Sequence, residues 1–279
     1  MKNAASQMDG LSMHYYTLPT NDWSKKGSAT DFDEAAYAAT LKRALHIDDL
    51  IACHSAIMDK YDPAKRVGLV VDEWGIWTDP EPGSHPGFLY QQNSLRDALL
   101  AALTLHVFQA HADRVVMANI AQMVNVLQAM ILTDNEKMLL TPTYHVFEML
   151  KVHQGATSLP VSLSTPDYVC GGTKLPAVSA SASRDKTGAL HLSLVNTNPN
   201  AEATITCTLA GLNDTKNKSV TGRVLTAPAI TSINTFDAPH TVEPKPFDGA
   251  KFTDDNSGAN ARTLLVTMPS KSIVVLEIK

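Results

Sequence analysis

The chain is short of cysteine, of charge and of long apolar runs, and each shortage excludes a class of protein. Three cysteines, Cys53, Cys170 and Cys207, are scattered through 279 residues. They are too few for a disulfide framework, no CxxC or Cys/His cluster has metal-ligand spacing, and they read mostly as buried apolar residues. Charged residues make up only 18% of the chain, with a net charge of −5, which argues against nucleic acid or an anionic membrane as partner. A hydrophobic content of 44% argues against disorder. No segment approaches the roughly 18 apolar residues of a membrane-spanning helix, and the polar start MKNAASQMDG holds no signal-peptide core. A neutral small molecule or polymer is the expected partner. The length suits two ordinary domains, or one barrel-sized domain with an appendage.

What the chain does have is one dense stretch, Val67 to Trp77, VGLVVDEWGIW. A Val/Leu run this short, with Lys65-Arg66 before it, reads as a strand buried on both faces, as in a parallel sheet. The pair Asp72-Glu73 closes it. Charge at the C-terminal end of a buried strand is costly unless a site uses it, and in a (β/α) barrel catalytic groups gather at that end. Strict alternation puts Leu69, Val71 and Glu73 on one side and Asp72 on the other. Glu73 is therefore the candidate working carboxylate; the alternative is a strand-end Glu in a structural ion pair.

Asp9 to Thr17, DGLSMHYYT, is a second strand candidate, followed by the turn-rich LPTNDWSKKGSATD. His14 and Tyr16 point the same way on it and bear on a site only if the strand borders Glu73. Asp31 or Asp33 opens one long helical pattern through Leu41, Leu45, Ile51 and Ile57, ending before Asp62-Pro63. Strand, loop, helix, strand makes a βαβ unit. After Trp77, TDPEPGSHPG is a long loop of the kind that shapes a pocket. Ser94 is placed to cap the apolar helix that follows. Arg114 to Ile120, RVVMANI, is a third parallel-strand candidate, with Gln122 just past its end, and Thr141 to His153 reads as the last helix.

Near Gly155 the hydrophobic period changes from 3.6 to 2. VSASASRD, ALHLSLVNTNP, ATITCTLAG, SVTGRVLTA, RTLLVTMP and SIVVLEIK are short runs separated by turn signals such as DKTG, NPNA and DDNSGAN. The pattern predicts an antiparallel β-sandwich of jelly-roll type over 156–279. Residues 1–155 form the α/β part.

The order DGLSMHYYT, VVDEWGIW, HADRV, ANIAQMVNVLQAM and TPTYHVFEMLKVHQG resembles the C-terminal half of an α-L-arabinofuranosidase of glycoside hydrolase family 51. The resemblance spans roughly the first 155 residues; the sandwich is generic. It implies the last three strands of a (β/α)₈ TIM barrel, with Glu73 as the nucleophile of a retaining reaction. His14 and Tyr16 match a pocket-lining pair, Trp77 an aromatic that borders the sugar, and Gln122 a residue that contacts sugar hydroxyls. The implied substrate is an arabinose-containing polysaccharide or oligosaccharide, as in arabinan degradation. No metal or organic cofactor is implied, because two carboxylates suffice. A homo-oligomer is implied for the full-length form, and a cytoplasmic location is favoured by cysteine usage and family habit.

One departure from the family pattern is large. The family's acid/base is the Glu of an Asn-Glu pair upstream of the nucleophile, and the one such pair here, Asn135-Glu136, lies downstream in the polar TDNEK, where it reads as a solvated loop. The expectation is a chain that carries the nucleophile without the acid/base half and is inactive in isolation, with two open sheet edges, low stability or self-association. Two alternatives stay open: another retaining glycosidase of the same barrel clan, and a non-catalytic carbohydrate-binding or assembly module.

Overall fold

A computed structural model describes residues 1–210, 219–253 and 261–279. The turn signal DDNSGAN, at 254–260, lies outside the described residues. Strands β1 (Gly10–Thr17), β2 (Gly68–Ile76) and β3 (Val115–Ile120) form a parallel sheet in the order β1-β2-β3. All three were legible in the sequence as strands. Between β1 and β2 the predicted single helix is two, α1 (Glu34–Ala44) and α2 (His46–Asp59), parted at Leu45. The break lets each piece aim its own apolar stripe at the core. Tyr37, Ala38, Leu41 and Ala44 are buried on α1, and Ile47, Ile51 and Met58 on α2. Asp33 caps α1, its carboxylate accepting from the Ala36 N–H at 2.8 Å.

Helix α3 (Leu95–Ala110) starts at Ser94 in a reciprocal capping box with Asp97. It is buried nearly all round because it lies between the parallel sheet and a large antiparallel sheet. After β3, strands β4 (Ile131–Asp134) and β5 (Lys137–Leu140) form a hairpin, and α4 (Pro142–Leu150) ends in a 3₁₀ turn at Lys151–His153. Asn135-Glu136 is the exposed two-residue turn of that hairpin, as its polarity suggested.

From β6 (Thr157–Leu159) onward the described residues hold strands and no helix. Strands β7 (Asp167–Cys170) and β8 (Thr173–Pro176) pair as a hairpin. The long strands are β9 (Val178–Arg184), β10 (Leu190–Asn196), β11 (Ala203–Ala210) and β12 (Val220–Leu225). After the short β13 (Lys245–Phe247) and β14 (Ala250–Phe252) come β15 (Ala261–Met268) and β16 (Ser272–Ile278). One sheet runs β13-β12-β16-β10-β9-β6, and another runs β11-β15-β14. Their alternating apolar residues meet in one core, Leu192, Leu194, Val274 and Leu276 against Leu264 and Val266. The larger core joins the helices and the parallel sheet to Val195, Leu225, Ile273 and Val275. Tyr37 reinforces that junction, its buried hydroxyl donating to Thr197 O at 2.7 Å. None of the cysteines is fully buried, contrary to expectation. Cys53 is exposed, and Cys170 and Cys207 are half-buried, each packed against the margin of a core.

Candidate active site

The parallel sheet is covered by helices on one side only. Leu69, Val71, Trp74 and Ile76 of β2 point into the core on that side. The spacing from Val71 to Trp74 is three, not two, because β2 carries an extra residue relative to both neighbours. His14 pairs with Glu73 where Ser12 pairs with Val70, and Trp74 pairs with Ile120 where Val71 pairs with Ala118. This bulge re-aims the strand at the acidic pair. It corrects the expectation from strict alternation: Glu73 does not share the side of Leu69 and Val71, and Asp72 does not point away from it. Both carboxylates reach the same imidazole. His14 Nδ1 lies 2.9 Å from Glu73 Oε2, and His14 Nε2 lies 3.2 Å from Asp72 Oδ1. Ser12 Oγ donates to that same Asp72 oxygen at 2.7 Å. The Ser12 and His14 bonds hold the Asp72 carboxyl below its ordinary range.

Tyr16 follows His14 on the same face. Burial, and then its hydrogen bond to the Glu73 carboxylate, push its phenol well above the usual tyrosine range, so it stays protonated and donates. Trp77, whose backbone N–H donates to Thr17 O at 3.0 Å, packs edge-on to Tyr16 with ring centroids 4.9 Å apart. Trp23 packs edge-on to Trp77 at 5.4 Å, and Lys26 Nζ lies 5.7 Å from the Trp77 ring. Trp23 is exposed, and its loop is pinned by Asp79, whose carboxylate accepts the backbone N–H groups of Lys26 and Gly27.

The end of β2 beyond Glu73 is braced by two buried glutamines. Gln128 Oε1 accepts from Ile76 N–H at 2.8 Å, and Gln91 Nε2 donates to Ile76 O at 3.2 Å while its Oε1 accepts from Thr78 N–H at 2.9 Å. Trp74 anchors the other side of the strand, between Phe108 and Phe147.

Four of the five residues singled out in the sequence, His14, Tyr16, Glu73 and Trp77, thus come together at one end of the β1-β2 pair. Gln122 lies beside them at the end of β3, next to Ala121, whose N–H donates to Trp74 O at 2.9 Å. Its backbone bonds Val126 and Met130, and its side chain is exposed. Sequence reasoning missed Asp72 as a member of the cluster, and also Trp23 and Gln128. A tryptophan within a Gly/Pro/Asn-rich loop after the first strand was the available signal for Trp23. Among the described residues no cluster of His, Cys, Asp and Glu has the form of a metal site.

The site is thus a carboxylate flanked by imidazole, phenol and indole, at the end of parallel strands and with antiparallel sheets packed behind. The particular family follows from comparison: a profile described as "Alpha-L-arabinofuranosidase C-terminal domain" matches residues 72–264, and the chain belongs to that family. It is 47% identical over its whole length to an intracellular exo-α-L-arabinofuranosidase of Bacteroides ovatus, covering 52% of that protein. A family 51 arabinofuranosidase structure from Xanthomonas axonopodis pv. citri matches 99% of the chain with a TM-score of 0.92 and 54% identity, over 54% of its own length. A family 51 α-L-arabinofuranosidase from Bifidobacterium longum shares the fold, with a TM-score of 0.80 at 23% identity. The chain spans about half the length of the Bacteroides and Xanthomonas relatives, which agrees with the C-terminal half of such an enzyme.

Proposed function

We propose that this chain is the nucleophile-bearing part of a retaining α-L-arabinofuranosidase that releases terminal non-reducing arabinofuranosyl residues from arabinose-containing glycans. The observation that carries the reading is the placement of Glu73 between His14 and Tyr16 on the open face of the parallel sheet. In this reading β1, β2 and β3 are the last three strands of a (β/α)₈ barrel, residues 1–155 are barrel, and residues 156–279 form the jelly-roll-type sandwich.

The chemistry assigns each group a task. Glu73 attacks the anomeric carbon as the bond to the leaving oxygen breaks; water later attacks that carbon, and the bond to Glu73 breaks with its electron pair returning to the carboxylate. Tyr16 donates to Glu73 and keeps it ionised and oriented. Trp77 borders the sugar, and Gln122 offers its amide to sugar hydroxyls. The second carboxyl of a retaining pair has to supply a proton to the leaving group. Asp72 is unsuited to that, because Ser12 and His14 hold it ionised, and Glu136 sits in an exposed hairpin turn. The acid is therefore assigned to the part of the relatives that this chain does not span. The Bacteroides ovatus and Bacillus subtilis relatives are described as intracellular, which supports a cytoplasmic location.

The test is hydrolysis of an aryl α-L-arabinofuranoside by the chain alone and by the chain co-expressed with the N-terminal part of the Xanthomonas relative. Turnover is expected in the second case and should vanish in Glu73→Gln. Full turnover by Glu73→Gln would overturn the assignment.

A further inference from the structure

His14 is the one side chain in the cluster that faces two carboxylates at once, and its geometry fixes more than a lining role. A neutral imidazole has one N–H and serves one carboxylate. Here both ring nitrogens lie within hydrogen-bond distance of a carboxylate oxygen, Glu73 Oε2 on one side and Asp72 Oδ1 on the other. Asp72 cannot supply the missing proton from its own side. Its Oδ1 already accepts from Ser12 Oγ at 2.7 Å, and it is held ionised. The arrangement is satisfied when the ring carries both protons.

Resting on the reading of Glu73 as nucleophile, we propose that Asp72 is a positioning residue that acts through His14. Together with Ser12 it holds the imidazole through Nε2, and the ring presents Nδ1–H to Glu73 Oε2. Asp72 touches neither sugar nor reacting atoms. Its effect is on the carboxylate two bonds of a relay away. The donor on Oε2 fixes the rotation of the Glu73 carboxylate. It also stabilises that carboxylate as it re-forms in the second half of the reaction, when water attacks the anomeric carbon and the bond to Glu73 breaks with its electron pair returning to the carboxylate oxygen. The β2 bulge is the structural device that makes this relay, because with strict alternation Glu73 would face the helices beside Leu69 and Val71, away from His14. The titratable groups around the ring are Asp72 and Glu73 from β2 and Tyr16 from β1, the last bonded to Glu73.

The expected effect is on kcat. Without the Asp72 contact the ring is free to turn from Glu73, and loss of one charge-assisted hydrogen bond at the carboxylate reads as a drop of roughly tenfold in kcat.

The experiment has two arms on Asp72→Asn, which keeps the shape and the Ser12 contact. In the first, ¹⁵N spectra of the 279-residue chain, with the His14 ring assigned by its loss in His14→Gln, show the Nε2 signal displaced in the variant. In the second, the co-expressed two-part enzyme loses roughly tenfold in kcat with KM unchanged, Asp72→Glu restores it, and adding Asp72→Asn to His14→Gln brings no further loss. An unchanged His14 spectrum in Asp72→Asn, or losses that add in the double variant, would overturn the proposal. Glu73→Gln separates the two readings: if it retains activity the nucleophile assignment falls, while the spectra still decide the state of the His14 ring.

Discussion

Gln128 Oε1 accepts the backbone N–H of Ile76 at 2.8 Å, three residues beyond Glu73, and its Nε2 donates to Asp97 O at 2.8 Å and to Thr143 Oγ1 at 3.1 Å. One amide thus ties the acidic strand end to the first turn of α3 and to α4. Replacing it by Leu leaves buried polar groups without partners, each costing about 1–3 kcal/mol. Gln128→Leu should lower the denaturation midpoint accordingly and raise amide exchange at Ile76, read by hydrogen exchange on the native chain.

Gly75 sits against the same amide, with φ of +140°. A Cβ there would lie 3.0 Å from Gln128 Oε1, and an L side chain rarely takes that backbone. Gly75→Ala should therefore cost about 1–3 kcal/mol and displace the strand two residues after Glu73. A denaturant titration checks the first effect, and loss of turnover beyond the loss of folded protein checks the second.

The exposed Trp23, edge-on to Trp77, extends the aromatic border of the cluster outward, and under the proposed function the rest of a glycan rests against it. Trp23→Ala should raise KM for an oligosaccharide about 2- to 10-fold, the scale of one aromatic contact, and leave KM for a small aryl glycoside nearly unchanged. Equal effects on both substrates would assign Trp23 to the packing of its loop.

Arg96 and Asp97 form an ion pair with both side chains fully buried, at 2.8 Å. The Arg96 guanidinium also stacks on Phe32 at 4.0 Å and donates to Ser28 O and Ala29 O, which ties the loop after β1 to α3. Arg96→Met removes one partner and leaves a buried carboxylate uncompensated, a loss of about 3–5 kcal/mol. The expected result is a lower midpoint in denaturant with near-native secondary structure retained at 25 °C.

How much of this was legible in the sequence depended on the length and periodicity of each piece. The three parallel strands and the six long strands from Val178 to Ile278 were readable because each is a regular apolar run bounded by turn residues. The short pieces β6, β7, β8, β13 and β14 were not, since three or four residues carry no period and Pro176 and Pro246 argue against strand. The break at Leu45 was hidden because both helices bury apolar stripes in the same register. His14, Tyr16 and Glu73 could be named from type and spacing, and Trp77 through the family resemblance. Asp72 could not be joined to them, because the bulge that brings Glu73 to its side is set by pairing with β1 and β3 rather than by β2 alone.

The junction between α3 and the large antiparallel sheet holds a chain of alternating serines and histidines that makes stability depend on pH. His106 Nδ1 lies 2.9 Å from Ser179 Oγ and its Nε2 lies 2.9 Å from Ser193 Oγ, while His153 reaches Ser193 Oγ at 2.9 Å and Ser183 Oγ at 2.8 Å. Burial, with each imidazole's histidine neighbour adding to it, pulls His106 down to about 3 and His153 down to about 4. Both are neutral in the fold at neutral pH, whereas in the unfolded chain they take up a proton near pH 6.5. The unfolded state therefore binds more protons below that pH, and stability falls as the solution is acidified from about 6.5 toward 4. His106 alone accounts for roughly 1.4 kcal/mol per pH unit in that window. Denaturant midpoints measured between pH 7 and 5 should fall, and His106→Gln should flatten the slope while keeping hydrogen bonds to the serines. If the variant follows the wild-type slope, the acid sensitivity lies elsewhere and the His106 ring is not what the junction must keep uncharged.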